Sequence, residues 1–168
     1  MVSRSGKYVD LTHTSAVTNN ILHSLFSQCT VMLNGVPVTQ SHDHYIYRAY
    51  LETLLTYGSD ASTTHLTYSY WYLNTGEMQP CDPTAETHNS TPNDGFIARW
   101  SRLNGSRDLR TLGRLNTDLC IVPLFLLPKV PLQIKFKKAW PRFCLKKISS
   151  NKITTFKFLD AYLMVRRV

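Results

Sequence analysis

The sequence predicts an all-β protein, an antiparallel sandwich of roughly eight strands interrupted by one short α-helix. Three observations predict it. Apolar and polar residues alternate in several short runs, the two-residue period of a half-buried strand. Clusters of Gly, Pro, Asn, Asp and Ser separate these runs and mark turns. Only one window carries a clear helical spacing.

The elements follow in order. Residues 1–20 are polar without a helical period and read as an N-terminal arm, which leaves a single domain over 21–168. In "CTVMLNGVPVT", Cys29, Val31 and Leu33 share one face, while Thr30 and Met32 share the other. Asn34-Gly35 supplies the positive φ angles of a tight hairpin turn. Val36 and Val38 lie on the return strand, and Pro37, which has no N–H to donate, places that strand at an edge. "SHDHYIYRAYLETLLTYG" predicts a helix over residues 43–57. Tyr47, Tyr50, Leu51, Leu54 and Leu55 follow its period, Ser41 or Asp43 caps it, and Gly58 closes it. "THLTYSYWYL" returns to alternation and predicts a strand with Leu66, Tyr68, Tyr70 and Tyr72 opposite Trp71. Residues 74–95 read as one long loop, a length that usually faces a partner. "LQIKFKK" predicts a strand with Leu132, Ile134 and Phe136 inward. "TTFKFLDAYLMVRRV" predicts a last strand whose facing changes at a bulge near Leu159-Asp160.

Composition narrows the function. A length of 168 residues holds one core, and 43% apolar residues argue against disorder. The net charge of +8 is divided unevenly: residues 1–98 carry three cations and eight acids, residues 99–168 sixteen cations and three acids. A basic half of that size attracts polyanions. Within "RWSRLNGSRDLRTLGR", Arg99, Arg102, Arg107, Arg110 and Arg114 are the candidate polyanion-binding residues, which makes a nucleic-acid-binding module the alternative function. A sugar- or receptor-binding sandwich would instead use the loop 74–95 beside Trp71 and Tyr72.

No catalytic set emerges, so an enzyme is not expected. Cys29, Cys81, Cys120 and Cys144 are far apart and read as free thiols; His42 and His44 read as surface or cap residues. Neither a metal nor a cofactor is expected. No apolar segment follows Met1, and the run 121–132 is short and holds three prolines. These features predict a soluble chain that is not secreted and not in a membrane, and the "NST" and "NGS" sequons at Asn89 and Asn104 then carry little weight.

Two blocks of sequence resemble a known family. The first is "LHSLFSQ", then "LNG", then "YRAYLETLLTYG". The second is "LGRLNTDLC", "LQIKF", "FCL" and the closing "AYLMVRRV". In this order and spacing they resemble the major capsid proteins of Polinton/Maverick elements and adintoviruses over most of residues 19–168. The resemblance implies a double jelly-roll capsid subunit, three of which form a capsomer, and this chain has room for the first jelly roll alone. Where the family has a longer strand-forming segment, only "YVDLTHTSAVTNN" precedes the first block, so a strand pair is expected to be missing. These departures imply a fragment, or a degraded or domesticated genomic copy. The implied partners are further copies of the chain and other capsid proteins. The implied location is a virion, or the nucleus or cytoplasm of a host cell. The aromatic residues Tyr45, Tyr47, Tyr50, Tyr57, Tyr70, Trp71 and Tyr72 are the candidate interface.

Overall fold

A computed structural model describes residues 2–3, 15–39, 44–85, 91–103, 108–123, 125–126, 128–147, 154–155 and 157–165. The chain runs β1 (Val2–Ser3), β2 (Ser15–Val17), α1 (Ile21–Ser24), β3 (Phe26–Leu33), β4 (Val36–Pro37), α2 (Tyr45–Thr56) and α3 (Ser59–Thr63). A 3-10 turn (His65–Ser69) follows, then α4 (Asp94–Leu103), α5 (Asp118–Ile121), β5 (Leu132–Lys138), α6 (Pro141–Cys144), β6 (Leu145–Lys147) and β7 (Thr154–Thr155).

The longest pairing joins strands a hundred residues apart. β3 lies antiparallel to β5, in register from Cys29 opposite Phe136 to Leu33 opposite Leu132. β4 covers the other side of β3 and gives the order β4-β3-β5. The hairpin forms as the sequence predicts: Asn34 and Gly35 take φ of 49° and 79°, and Pro37 lies on an edge strand. Two further sheets have two strands each, β1 with β7 and β2 with β6.

The all-β jelly-roll sandwich is overturned. The fold is mixed, with helices between small antiparallel sheets, and no sandwich of two stacked sheets forms among the described residues. Three segments account for the difference. "THLTYSYWYL" does not form a strand, because its own hydroxyls bond its backbone. Thr67 Oγ1 donates to Thr64 O at 2.6 Å and Ser69 Oγ to Leu66 O at 2.8 Å, which holds a 3-10 turn that ends at Tyr70 with φ of 60°. Residues 94–103 form a helix that begins at the end of the stretch read as loop and was not predicted. Asn93 caps it, accepting from Phe96 N–H at 3.0 Å. The "AYLMV" segment, residues 161–165, has no ladder partner among the described residues, so no bulge near Leu159-Asp160 arises there.

The N-terminal arm also differs from its expectation. Val2–Ser3 pairs with Thr154–Thr155, and Ser15, Ala16 and Val17 are buried strand. Val17 then joins Ile21, Leu25, Ile46, Leu103, Ala139, Cys144 and Leu145 in the main core. A second cluster of Cys29, Val31 and Tyr45 lies under α2, and Phe26 packs against both.

The predicted helix forms over Tyr45–Thr56, with its buried face on residues other than the predicted ones. Tyr45, Ile46, Ala49 and Thr53 point inward, while Tyr47, Tyr50, Leu51, Leu54 and Leu55 are exposed. Ser41 and Asp43 lie outside the described residues. Gly58 has no left-handed turn at α2's end; the last turn closes at Tyr57, which is extended.

Val31 is fully buried and Val36 is exposed on the edge strand. Removing two buried methyl groups costs on the order of 2 kcal/mol once the residual cavity is counted. Val31→Ala is therefore expected to lower the urea midpoint clearly, and Val36→Ala to leave it nearly unchanged.

Candidate functional site

Helix α4 positions the most unusual side chain. Gly95 in its first turn has no room for a Cβ, which would collide with the carbonyl oxygen of Leu73. The missing side chain lets α4 lie directly on the backbone of residues 72–73. One turn later Arg99 is 2% exposed. Its Nε donates to Val17 O at 3.0 Å, Nη1 to Tyr72 O at 2.6 Å and Nη2 to Asn74 Oδ1 at 2.7 Å. All three acceptors are neutral. Burial lowers the guanidinium to about 10, so it is still a cation at neutral pH.

The other predicted arginines do not join it. Arg102 lies over the Tyr72 ring at 5.5 Å. Arg114 is exposed and donates to Cys120 O at 2.6 and 3.1 Å. Arg110 is exposed, and Arg107 lies outside the described residues. Arg99 itself is enclosed and cannot reach a phosphate backbone. The structure therefore does not gather the five into one cationic surface.

The candidate interface also divides. Tyr45 and Trp71 are core residues; Tyr70 and Tyr72 are half-buried; Tyr47, Tyr50 and Tyr57 remain exposed. Tyr50 packs against Trp71 with the rings tilted and their centres 5.0 Å apart, and Tyr47 meets Phe143 edge-on at 5.9 Å. The exposed apolar residues of α2 are Tyr47, Tyr50, Leu51, Leu54 and Leu55, the last 81% exposed. Phe125, Trp140, Tyr162 and Met164 add exposed apolar surface that the sequence pattern had not marked as interface.

An ion-pair fork pins another side of α2. Arg48 donates to Glu52 at 2.7 Å and to Asp118 at 2.6 and 3.1 Å. The hydrogen bonds from Arg48 hold the Asp118 carboxyl below its ordinary range. Asn116 Nδ2 completes the network on Glu52 at 2.9 Å.

Reactive chemistry is muted. All four cysteines are free, and burial pushes Cys29 and Cys144 up to about 11, so neither is a thiolate at neutral pH. No group of three metal-ligating residues occurs among the described residues; His44 is exposed, and His42, Asn89 and Asn104 lie outside them. Among the described residues no helix is long and apolar enough to cross a membrane. No protein-family model matches the chain, and neither a curated protein nor a solved structure does.

His23 is buried, with Nδ1 3.0 Å from Tyr45 Oη. Burial lowers its pKa from 6.5 to about 4, with Glu52 opposing in part. Below pH 6.5 the unfolded chain takes up a proton that the fold refuses. Stability from this group is complete above about pH 6.5 and falls as the pH drops toward 4, by roughly 3 kcal/mol in all. Urea unfolding of the wild type and His23→Gln should show a shallower dependence in the variant between pH 6.5 and 5. Parallel curves would remove His23 from the account.

Arg99→Met removes the Arg99 donors from Val17 O, Tyr72 O and Asn74 Oδ1. At about 1–3 kcal/mol for each orphaned group, the loss is expected to reach at least about 3 kcal/mol. Arg102→Met, at an exposed position, is expected to cost under about 1 kcal/mol. Equal urea midpoints for the two variants would contradict the anchoring role of Arg99.

Proposed function

We propose that this chain is a structural, capsid-type subunit, or a piece of one, that works by associating with copies of itself. The observation that carries the reading is the double-sided apolar character of α2. One face packs on β3, and the other presents Tyr47, Leu51, Leu54 and Leu55 to water. A helix apolar on both sides is ordinarily covered on both sides.

The two resembling blocks of sequence support the same reading. The strand that joins "LHSLFSQ" to "LNG" in the first pairs with "LQIKF" of the second through β3 and β5. "LHSLFSQ" meets "FCL" where Cys144 Sγ donates to Ser24 O at 3.2 Å. Ile46 and Ala49, from and beside "YRAYLETLLTYG", are core. The block residues thus serve burial and pairing, which is the use a shell protein makes of its chain.

In sedimentation velocity the purified chain is expected to shift toward larger species as its concentration rises to roughly tens of micromolar, the range of moderate interfaces. Leu51→Lys with Leu55→Lys changes two exposed positions and should leave the fold intact while moving the chain to monomer. A wild-type chain that stays monomeric throughout would overturn the proposal.

A further inference from the structure

Residues 119–159 contain nine Lys and Arg and no Asp or Glu. β5 lies within this stretch, and its side chains are exposed at every position but Ile134. Among the described residues no strand pairs with its outer edge. Lys135 and Lys137 share one face, opposite Thr30 and Gln28 of β3, and stand about 7 Å apart along the strand. Phe136 and Lys138 project to the other face, so lysines of both faces flank one open edge. Lys146 of β6 is exposed beyond it. The acids that bound the stretch are engaged elsewhere: Asp118 pairs with Arg48, and Asp160 accepts from Tyr162 Oη.

A second observation is independent of the charge. Aromatic rings stand among these lysines in water. Phe136 is 41% exposed, and Trp140, just past the end of β5, is 83% exposed. Lys138 Nζ lies 5.2 Å from the centre of the Phe158 ring, so cations and rings interleave. A basic strand that is merely solvated has no use for an exposed indole.

We propose that the open edge of β5, with Trp140 and Lys146 beyond it, binds single-stranded nucleic acid. Lys135, Lys137, Lys138 and Lys146 meet phosphates, and Phe136 and Trp140 offer faces on which unpaired bases stack. A duplex keeps its base faces inside its own stack, so it uses the lysines and not the rings. The strip is extended and one strand wide, which matches a single chain of phosphates better than a lipid surface. The site is distinct from the five arginines of residues 99–114, which the fold disperses.

Fluorescence anisotropy of a labelled oligothymidylate of about 16 nucleotides, titrated with the full chain, tests the idea. A duplex of the same length and phosphatidylserine vesicles are the comparisons. Oligothymidylate should bind about tenfold more tightly than duplex, and vesicles should not displace it. Affinity should fall with salt. Lys135→Gln with Lys137→Gln should flatten the log–log salt slope by about 1.4, at roughly 0.7 for each phosphate of a single strand. Trp140→Ala should weaken oligothymidylate about tenfold and leave duplex binding unchanged. Both variants alter exposed side chains, so an unchanged urea midpoint separates lost binding from lost fold. Arg102→Gln with Arg110→Gln should bind as the wild type does. Failure of oligothymidylate to bind, duplex binding as tightly, displacement by vesicles, or undiminished binding by the lysine or Trp140 variant would each overturn the proposal. So would a loss in the arginine variant as large as in the lysine variant.

Discussion

The Arg99 guanidinium sits where three segments of the chain cross. It reaches β2 through Val17 O, the segment after the 3-10 turn through Tyr72 O and Asn74, and is itself carried by α4. Because its acceptors are neutral, each must stay aimed at it for the charge to tolerate burial. The constraint propagates. Val17 is held against Leu145 by the β2–β6 ladder, and Asn19 and Asn20 bond Tyr72 and Tyr70 on the other side. Gly95 is part of the same constraint, since any side chain there would push α4 off the backbone that Arg99 must reach.

The strand pairing adds a second tie between distant parts. β3 and β5 close a long loop, and so do β2 with β6 and β1 with β7. Loop closure of that length must precede the reward of pairing, so such folds form slowly and expose apolar strands meanwhile. Among the described residues no strand pairs with the outer edge of β5, and Leu132 and Phe136 are exposed there. Phe158 stacks on Phe26, and beyond it Tyr162 and Met164 stand in water. An uncovered strand edge and exposed apolar side chains are the features by which a chain pairs with another copy or aggregates.

The arginines show how residue type and residue role part company. Five arginines in sixteen residues have the composition of a polyanion grip, and the fold uses them for separate purposes. One is a buried tie, one a cation over an aromatic ring, and one a clamp on the carbonyl of Cys120. Charge density along a sequence becomes a surface only if the backbone presents it on one side, and α4 turns Arg99 inward while Arg102 faces out.

Local rules account for what the sequence alone determined. Asn34-Gly35 dictates its turn through backbone sterics, Pro37 dictates an edge, "LQIKFKK" forms its strand although Leu132 and Phe136, expected inward, are exposed, and Tyr45–Thr56 forms a helix because its period is sustained over three turns. Tertiary structure decided the rest. Both faces of α2 are apolar, so periodicity revealed a helix and not which side is buried; contact with β3 selected Tyr45, Ile46, Ala49 and Thr53. Asn93 and the spacing of Phe96, Arg99 and Leu103 were a legible helix signal, obscured because a core position held a charge that only distant carbonyls make tolerable. The crossing at Arg99 was illegible because its acceptors are remote in sequence. Val17, Tyr72 and Asn74 lie on β2 and on the segment after the 3-10 turn, and no local pattern reports that they meet α4.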